Sequence, residues 1–79
     1  MTIADRVKDI VEQELGVNNV SSGAVLETDL NADSADRLSL TLALEDAFTL
    51  EISDADAQQL LTVSDIVSYI ERRTAAEAT

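Results

Sequence analysis

The run Asp29-Leu30-Asn31-Ala32-Asp33-Ser34-Ala35-Asp36 holds the residues whose types and order could do chemistry. Asp33 suits a helix N-cap, because its carboxylate can accept the unpaired N–H groups of a first turn. Ser34 then falls at the helix entrance, a hydroxyl facing solvent and placed to be modified or recognised. It has nothing to activate it for attack. The chain contains no histidine and no cysteine, and its five lysines and arginines form no serine–base arrangement, so no catalytic residue is assigned. Carboxylates are plentiful, but acid–base hydrolysis needs a cleft that shifts one pKa, and 79 residues leave little volume for one. Asp29, Asn31 and Asp33 match the first three ligand positions of an EF-hand loop. Ser34 then stands where the sharp turn wants glycine and Leu40 where the bidentate glutamate belongs, so no metal site is assigned either.

Charge adds a second strong feature. Sixteen acids against five bases give a net −11. Residues 27–56 carry nine of those acids and one base, Arg37, so the negative field is concentrated around Ser34. Such a field repels nucleic acid and anionic membranes and steers basic protein surfaces toward the serine. A solvated face kept for solubility is the bland reading; clustering about one exposed hydroxyl favours a docking face. Apolar runs are only a few residues long, and the opening MTIADRVKDI is too charged for a secretory signal, so a cytoplasmic protein without membrane insertion is expected.

The elements that must position Ser34 can be read from capping and periodicity. Thr2 and Asp5 have capping-box spacing, Ile3, Val7, Ile10 and Val11 form one apolar stripe, and Gly16 supplies a stop, which predicts a first core helix. Residues 17–33 are rich in turn formers, with Val17, Val20, Val25, Leu26 and Leu30 as scattered anchors. This is a long ordered loop that could include a short helical turn. From Ser34 to about Thr49 the residues Leu38, Leu40, Leu42 and Leu44 alternate in a strand-like pattern. The Asp33 cap, Asp36 in the first turn and the run Leu42-Ala43-Leu44-Glu45-Asp46-Ala47 favour a helix. On that helix Ala35, Leu38 and Leu42 form one strip and Leu40, Leu44 and Phe48 another, an apolar surface wide enough for more than one neighbour. Ser53 and Asp56 open a short helical piece to about Leu60. Thr62 and Asp65 introduce a last helix with Val63, Ile66, Val67 and Ile70 on one face, and Arg72 and Arg73 complement its C-terminal dipole. Residues 74–79 look frayed. The prediction is an all-α, single-domain bundle spanning residues 1–79, with three principal helices, one short helix and a long first loop.

The Asp29–Asp36 run resembles the signature of acyl carrier proteins, whose Asp-Ser-Leu core follows an Asp-Leu-Gly-Ala-type approach. The similarity extends to Ile3-Ala4-Asp5-Arg6-Val7, Glu14-Leu15-Gly16-Val17, Ala43-Leu44-Glu45-Asp46-Ala47-Phe48, Glu51-Ile52-Ser53-Asp54, Leu61-Thr62-Val63 and Tyr69-Ile70, which covers nearly the whole chain. The resemblance implies that Ser34, with Asp33 beside it, is the attachment point for 4′-phosphopantetheine, delivered from coenzyme A by a phosphopantetheinyl transferase. The arm's thiol would carry acyl groups as thioesters between acyl-transferring and chain-elongating enzymes in fatty-acid synthesis. An acyl chain could slip between the Leu38 and Leu42 side of the central helix and Ile52, Leu60 and Ile66, at about 0.8 kcal/mol per methylene buried. Basic docking patches on the partners would meet a monomeric carrier at Asp29, Asp36, Arg37, Glu45 and Asp46.

Three positions depart from the family pattern. Ala35 stands where leucine is usual, Asn31 replaces a glycine of the approach, and Arg37 puts a cation one turn from Ser34. Altered partners and ordinary variation both account for these. A specialised carrier in polyketide or other secondary metabolism, and an unmodified acidic adaptor that binds a basic protein through residues 27–56, remain the rival readings.

Overall fold

A computed structural model describes residues 2–77. Each helix starts where a side chain takes up the orphan N–H groups of its first turn. Helix α1 spans Ile3–Leu15; the Thr2 hydroxyl accepts from the Asp5 N–H at 3.1 Å, the Asp5 carboxylate accepts from the Thr2 N–H at 3.1 Å, and Gly16 closes the helix at φ 66°. Helix α2 spans Ser34–Phe48, α3 Asp54–Gln58 and α4 Val63–Glu77. Thr62 and Asp65 cap α4 reciprocally at 3.0 and 3.1 Å. Ser53 caps α3 by accepting from the Asp56 N–H, but the Asp56 carboxylate does not return the bond; it accepts from the Tyr69 hydroxyl at 2.8 Å instead. Among the described residues there is no strand, only a single antiparallel bridge between Val25 and Thr62.

The core is filled by aliphatic side chains from every long element. Val7 and Val11 of α1, Leu40 and Leu44 of α2, and Val63, Ile66 and Ile70 of α4 are nearly inaccessible, with Leu26, Ile52 and Leu60 closing the layers between helices. Helix α1 packs against both α2 and α4. Arg6 pins the far end of α2, its guanidinium lying 4.4 Å from the Phe48 ring centroid and donating to the Ala47 carbonyl at 2.9 Å.

The long first loop is ordered by hydrogen bonds that use its own short turn and the approach to α4. Asp29 and Leu30 N–H groups donate back to the Val25 carbonyl, the helical turn expected there, and the Asp29 carboxylate accepts from the Val25 N–H at 2.8 Å. Leu26 N–H donates to the Leu61 carbonyl at 2.9 Å, and Val63 and Ser64 donate to the Ala24 and Ser22 carbonyls. Loop and α4 entrance are thus one unit.

Two boundaries move. The short helix ends at Gln58 rather than near Leu60, because Gln59 and Leu60 N–H groups bond three residues back, to Asp56 and Ala57 carbonyls, and tighten the last turn. Helix α4 continues to Glu77 through part of the segment read as frayed. Ala75 and Ala76, of the best helix-forming type, carry the helix on past Thr74, whose hydroxyl donates back to the Ile70 carbonyl at 2.8 Å. Residues 78–79 of that segment lie outside the described residues.

Candidate functional site

Ser34 is the first residue of α2 and is exposed. Asp33, extended at φ −87°, accepts from the Asp36 N–H at 2.9 Å, and the Asp36 carboxylate accepts from the Asp33 N–H at 3.3 Å. The serine is therefore held between two reciprocally locked residues. Immediately upstream Ala32 is 2% exposed, and its N–H donates to the Leu26 carbonyl at 2.8 Å, which seats the approach on the core. Asn31 adopts φ 54°. This is the left-handed region that glycine enters freely and that asparagine tolerates better than most residues, so the substitution keeps the backbone turn that the glycine of the family pattern allows.

The Ser34 hydroxyl makes no hydrogen bond with the described residues, and two open depressions meet at it. One, of about 440 Å³, is lined by Glu27, Asn31, Ala32, Asp33, Ser34 and Arg37. The other, of about 260 Å³, lies between α2 and α3 against Ser34, Arg37, Leu38, Thr41, Asp54, Ala57 and Gln58. Arg37 borders both, half-buried, with its guanidinium donating to the Ala57 carbonyl at 3.3 Å. An accessible hydroxyl with a cation beside it and room on either flank fits a bulky anionic substituent on that oxygen.

The expected acyl pocket is not assembled. Leu38 is 60% and Leu42 56% exposed, whereas Ile52, Leu60 and Ile66 belong to the closed core. Of the two apolar strips on α2, the Leu40 and Leu44 strip faces inward, and the other strip, a large fraction of a turn away, is left to solvent. Leu38 borders the α2–α3 depression; Leu42 does not.

The expected docking residues divide in the same way. Asp46 is exposed, without a hydrogen-bond partner for its carboxylate among the described residues. Glu45 is half-buried and accepts from the Ile52 N–H at 2.8 Å, so it fastens the chain after α2. Asp29, exposed, and Asp36, half-buried, are committed to their local turns, and Arg37 reaches α3. Sequence reasoning missed Glu27, Thr41, Asp54, Ala57 and Gln58 as site-lining residues; only Glu27 and Asp54, acids of the charged segment, carried a signal. It also missed the link in which Tyr69 donates to Asp56 and accepts from Arg73 at 2.6 Å while Arg73 donates to the Glu51 carbonyl at 2.8 Å. Among the described residues no group of three or more acids is placed to hold a metal, and no helix is long and apolar enough to cross a membrane.

A short helical bundle that presents one serine at a locked helix entrance, ringed by acids, is the architecture of a prosthetic-group carrier. The family described as a phosphopantetheine attachment site matches residues 5–70. An acyl carrier protein of Bdellovibrio bacteriovorus is 45% identical over 92% of this chain and 96% of its own length. One from Chlamydia caviae is 44% identical over 92% and 97%. Among solved structures, one from Mycobacterium tuberculosis described as an acyl carrier protein aligns with a TM-score of 0.80 at 29% identity, covering 85% of this chain and 92% of that one. The chain belongs to the acyl carrier protein family. Its prosthetic group is covalent 4′-phosphopantetheine, on which acyl groups are carried.

Proposed function

We propose that Ser34 is the attachment residue and that the protein is a cytoplasmic, non-catalytic carrier of acyl thioesters in fatty-acid synthesis. The observation that carries this is the exposed, unpartnered Ser34 hydroxyl at the capped entrance of α2, inside the matched span of residues 5–70. Attachment forms a bond between the Ser34 oxygen and phosphorus and breaks the pyrophosphate bond of coenzyme A, releasing adenosine 3′,5′-bisphosphate. The serine proton leaves to a base on the transferase, since no side chain among the described residues accepts a hydrogen bond from the Ser34 hydroxyl. The prosthetic group supplies the thiol that a chain without cysteine lacks.

Asp46, together with the carboxylate charge of Asp29, Asp36 and Glu45, supplies the negative surface that acyl-transferring and chain-elongating enzymes meet with arginine and lysine patches. The exposed Leu38 and Leu42 lie on the same helix and offer apolar contacts at that interface. An acyl chain entering toward Ile52, Leu60 and Ile66 requires α3 to part from α2, since all three are buried with α3 in place. Intact mass after incubation with coenzyme A and a promiscuous transferase tests this reading. Addition of one phosphopantetheine to the wild type and none to Ser34→Ala supports the carrier; a wild type that stays unmodified leaves the acidic adaptor as the better account.

A further inference from the structure

Arg37 is the one base within residues 27–56 and the side chain shared by both depressions that meet at Ser34. It sits three residues after Ser34 on α2, the spacing that makes two helical side chains neighbours at about 5–6 Å between Cβ atoms. Its contact with the Ala57 carbonyl is a neutral-acceptor hydrogen bond at 3.3 Å, long for N–H to oxygen. Helix α3 has five residues, none of them fully buried, and only Ala57 packs against the core, so few contacts hold it. Besides the Ser53 cap and the Ala57 packing, its side-chain hydrogen bonds among the described residues are the Asp56 bond to Tyr69 on α4 and the Arg37 bond from α2.

We propose that Arg37 is a latch that senses modification of Ser34. In the unmodified chain the guanidinium holds α3 against α2 through the Ala57 carbonyl. Once Ser34 bears a phosphodiester, the anion lies within reach on the same helix, and charge-assisted bonds to phosphate oxygens are shorter and about twice as strong as bonds to a neutral carbonyl. The guanidinium turns to the phosphate, α3 loses its tie to α2, and the depression bordered by Leu38, Thr41 and Ala57 widens toward Leu60. Loading the arm thereby prepares the path its cargo must take. Arg37 is a positioning residue here, and the inference rests on Ser34 being the attachment site.

Amide hydrogen exchange over residues 54–60, read with and without the arm, tests it, with loading verified by intact mass. The Ala57, Gln59 and Leu60 amides should exchange about fivefold faster in the loaded wild type, the change that loss of one ordinary hydrogen bond produces. Arg37→Met should show the faster exchange before loading and no further change after it, and Arg37→Lys should restore part of the wild-type difference. A fully loaded wild type with unchanged exchange over 54–60, or Arg37→Met that keeps the loading effect, overturns the latch. Failure to load at all overturns the attachment reading instead, while the comparison of unmodified wild type with unmodified Arg37→Met still reports on the tie to Ala57.

Discussion

At Ser34 the chemistry depends on its neighbours more than on the serine itself. Replacing Asp33 by alanine removes the acceptor for the Asp36 N–H and frees the mount of the hydroxyl; about 1 kcal/mol of stability should be lost, a drop in Tm of roughly 4–8 °C in a thermal melt. Asn31, at φ 54°, should tolerate glycine with little change in Tm, whereas Asn31→Val, β-branched in a left-handed conformation, should lower it by several degrees. Ala35 is exposed beside the serine and leaves a gap where the family has leucine. Ala35→Leu should raise the rate of modification by a general transferase; equal or slower rates would show that the missing side chain plays no part. The serine and its cap were legible in the sequence because each is a local statement about spacing, and the departures at 31, 35 and 37 were legible through the family resemblance. The reach of Arg37 to Ala57 was not, since nothing within one helix says where a long side chain ends across a groove.

Helix α2 shows what an element can reveal before it is folded and what it cannot. Its start was fixed by Asp33 and Asp36 against the strand-like alternation of four leucines, and the cap prevailed. Which apolar strip faces inward depends on the partners that α1 and α4 present, and both strips looked equally apolar in isolation. The structure buries Leu44 at 1% exposure and leaves Leu42 at 56%. Leu44→Ala should therefore cost about 2–5 kcal/mol in denaturant unfolding and Leu42→Ala less than about 0.5 kcal/mol, the reverse of what an interior acyl pocket at Leu42 requires. Between α3 and α4, burial raises the Tyr69 pKa above its ordinary 10.0, and the bond to the Asp56 carboxylate adds to that rise. A group whose folded pKa is raised contributes stability that is complete below its unfolded value and is lost as pH rises through the folded value. Wild-type Tm should accordingly fall more steeply than that of Tyr69→Phe above pH 10, while near neutral pH the variant should be the weaker by about 1 kcal/mol.

For the molecule as a whole, charge and fold act on different parts of the task. The core, aliphatic apart from Tyr69 and with no buried charge among the described residues, holds the bundle together, and the net −11 is left for the surface. The acids of residues 27–56 serve twice: some fasten turns, as Asp29, Asp36 and Glu45 do, and all contribute to the field around Ser34. Composition disclosed that field but not the division of labour, because a carboxylate bonded to a backbone N–H reads the same in sequence as one that waits for a partner. Association driven by such a field should be fast and salt-sensitive; the on-rate for a partner enzyme with a basic patch should fall roughly tenfold as the screening length drops from about 10 Å at 0.1 M salt toward about 3 Å at 1 M. The carrier role depends on which oxygen bears the arm. Fragment mass spectrometry of the loaded protein should find the phosphopantetheine on Ser34 alone; the same mass on Ser39, Thr41 or Ser53, or spread over several hydroxyls, would contradict it.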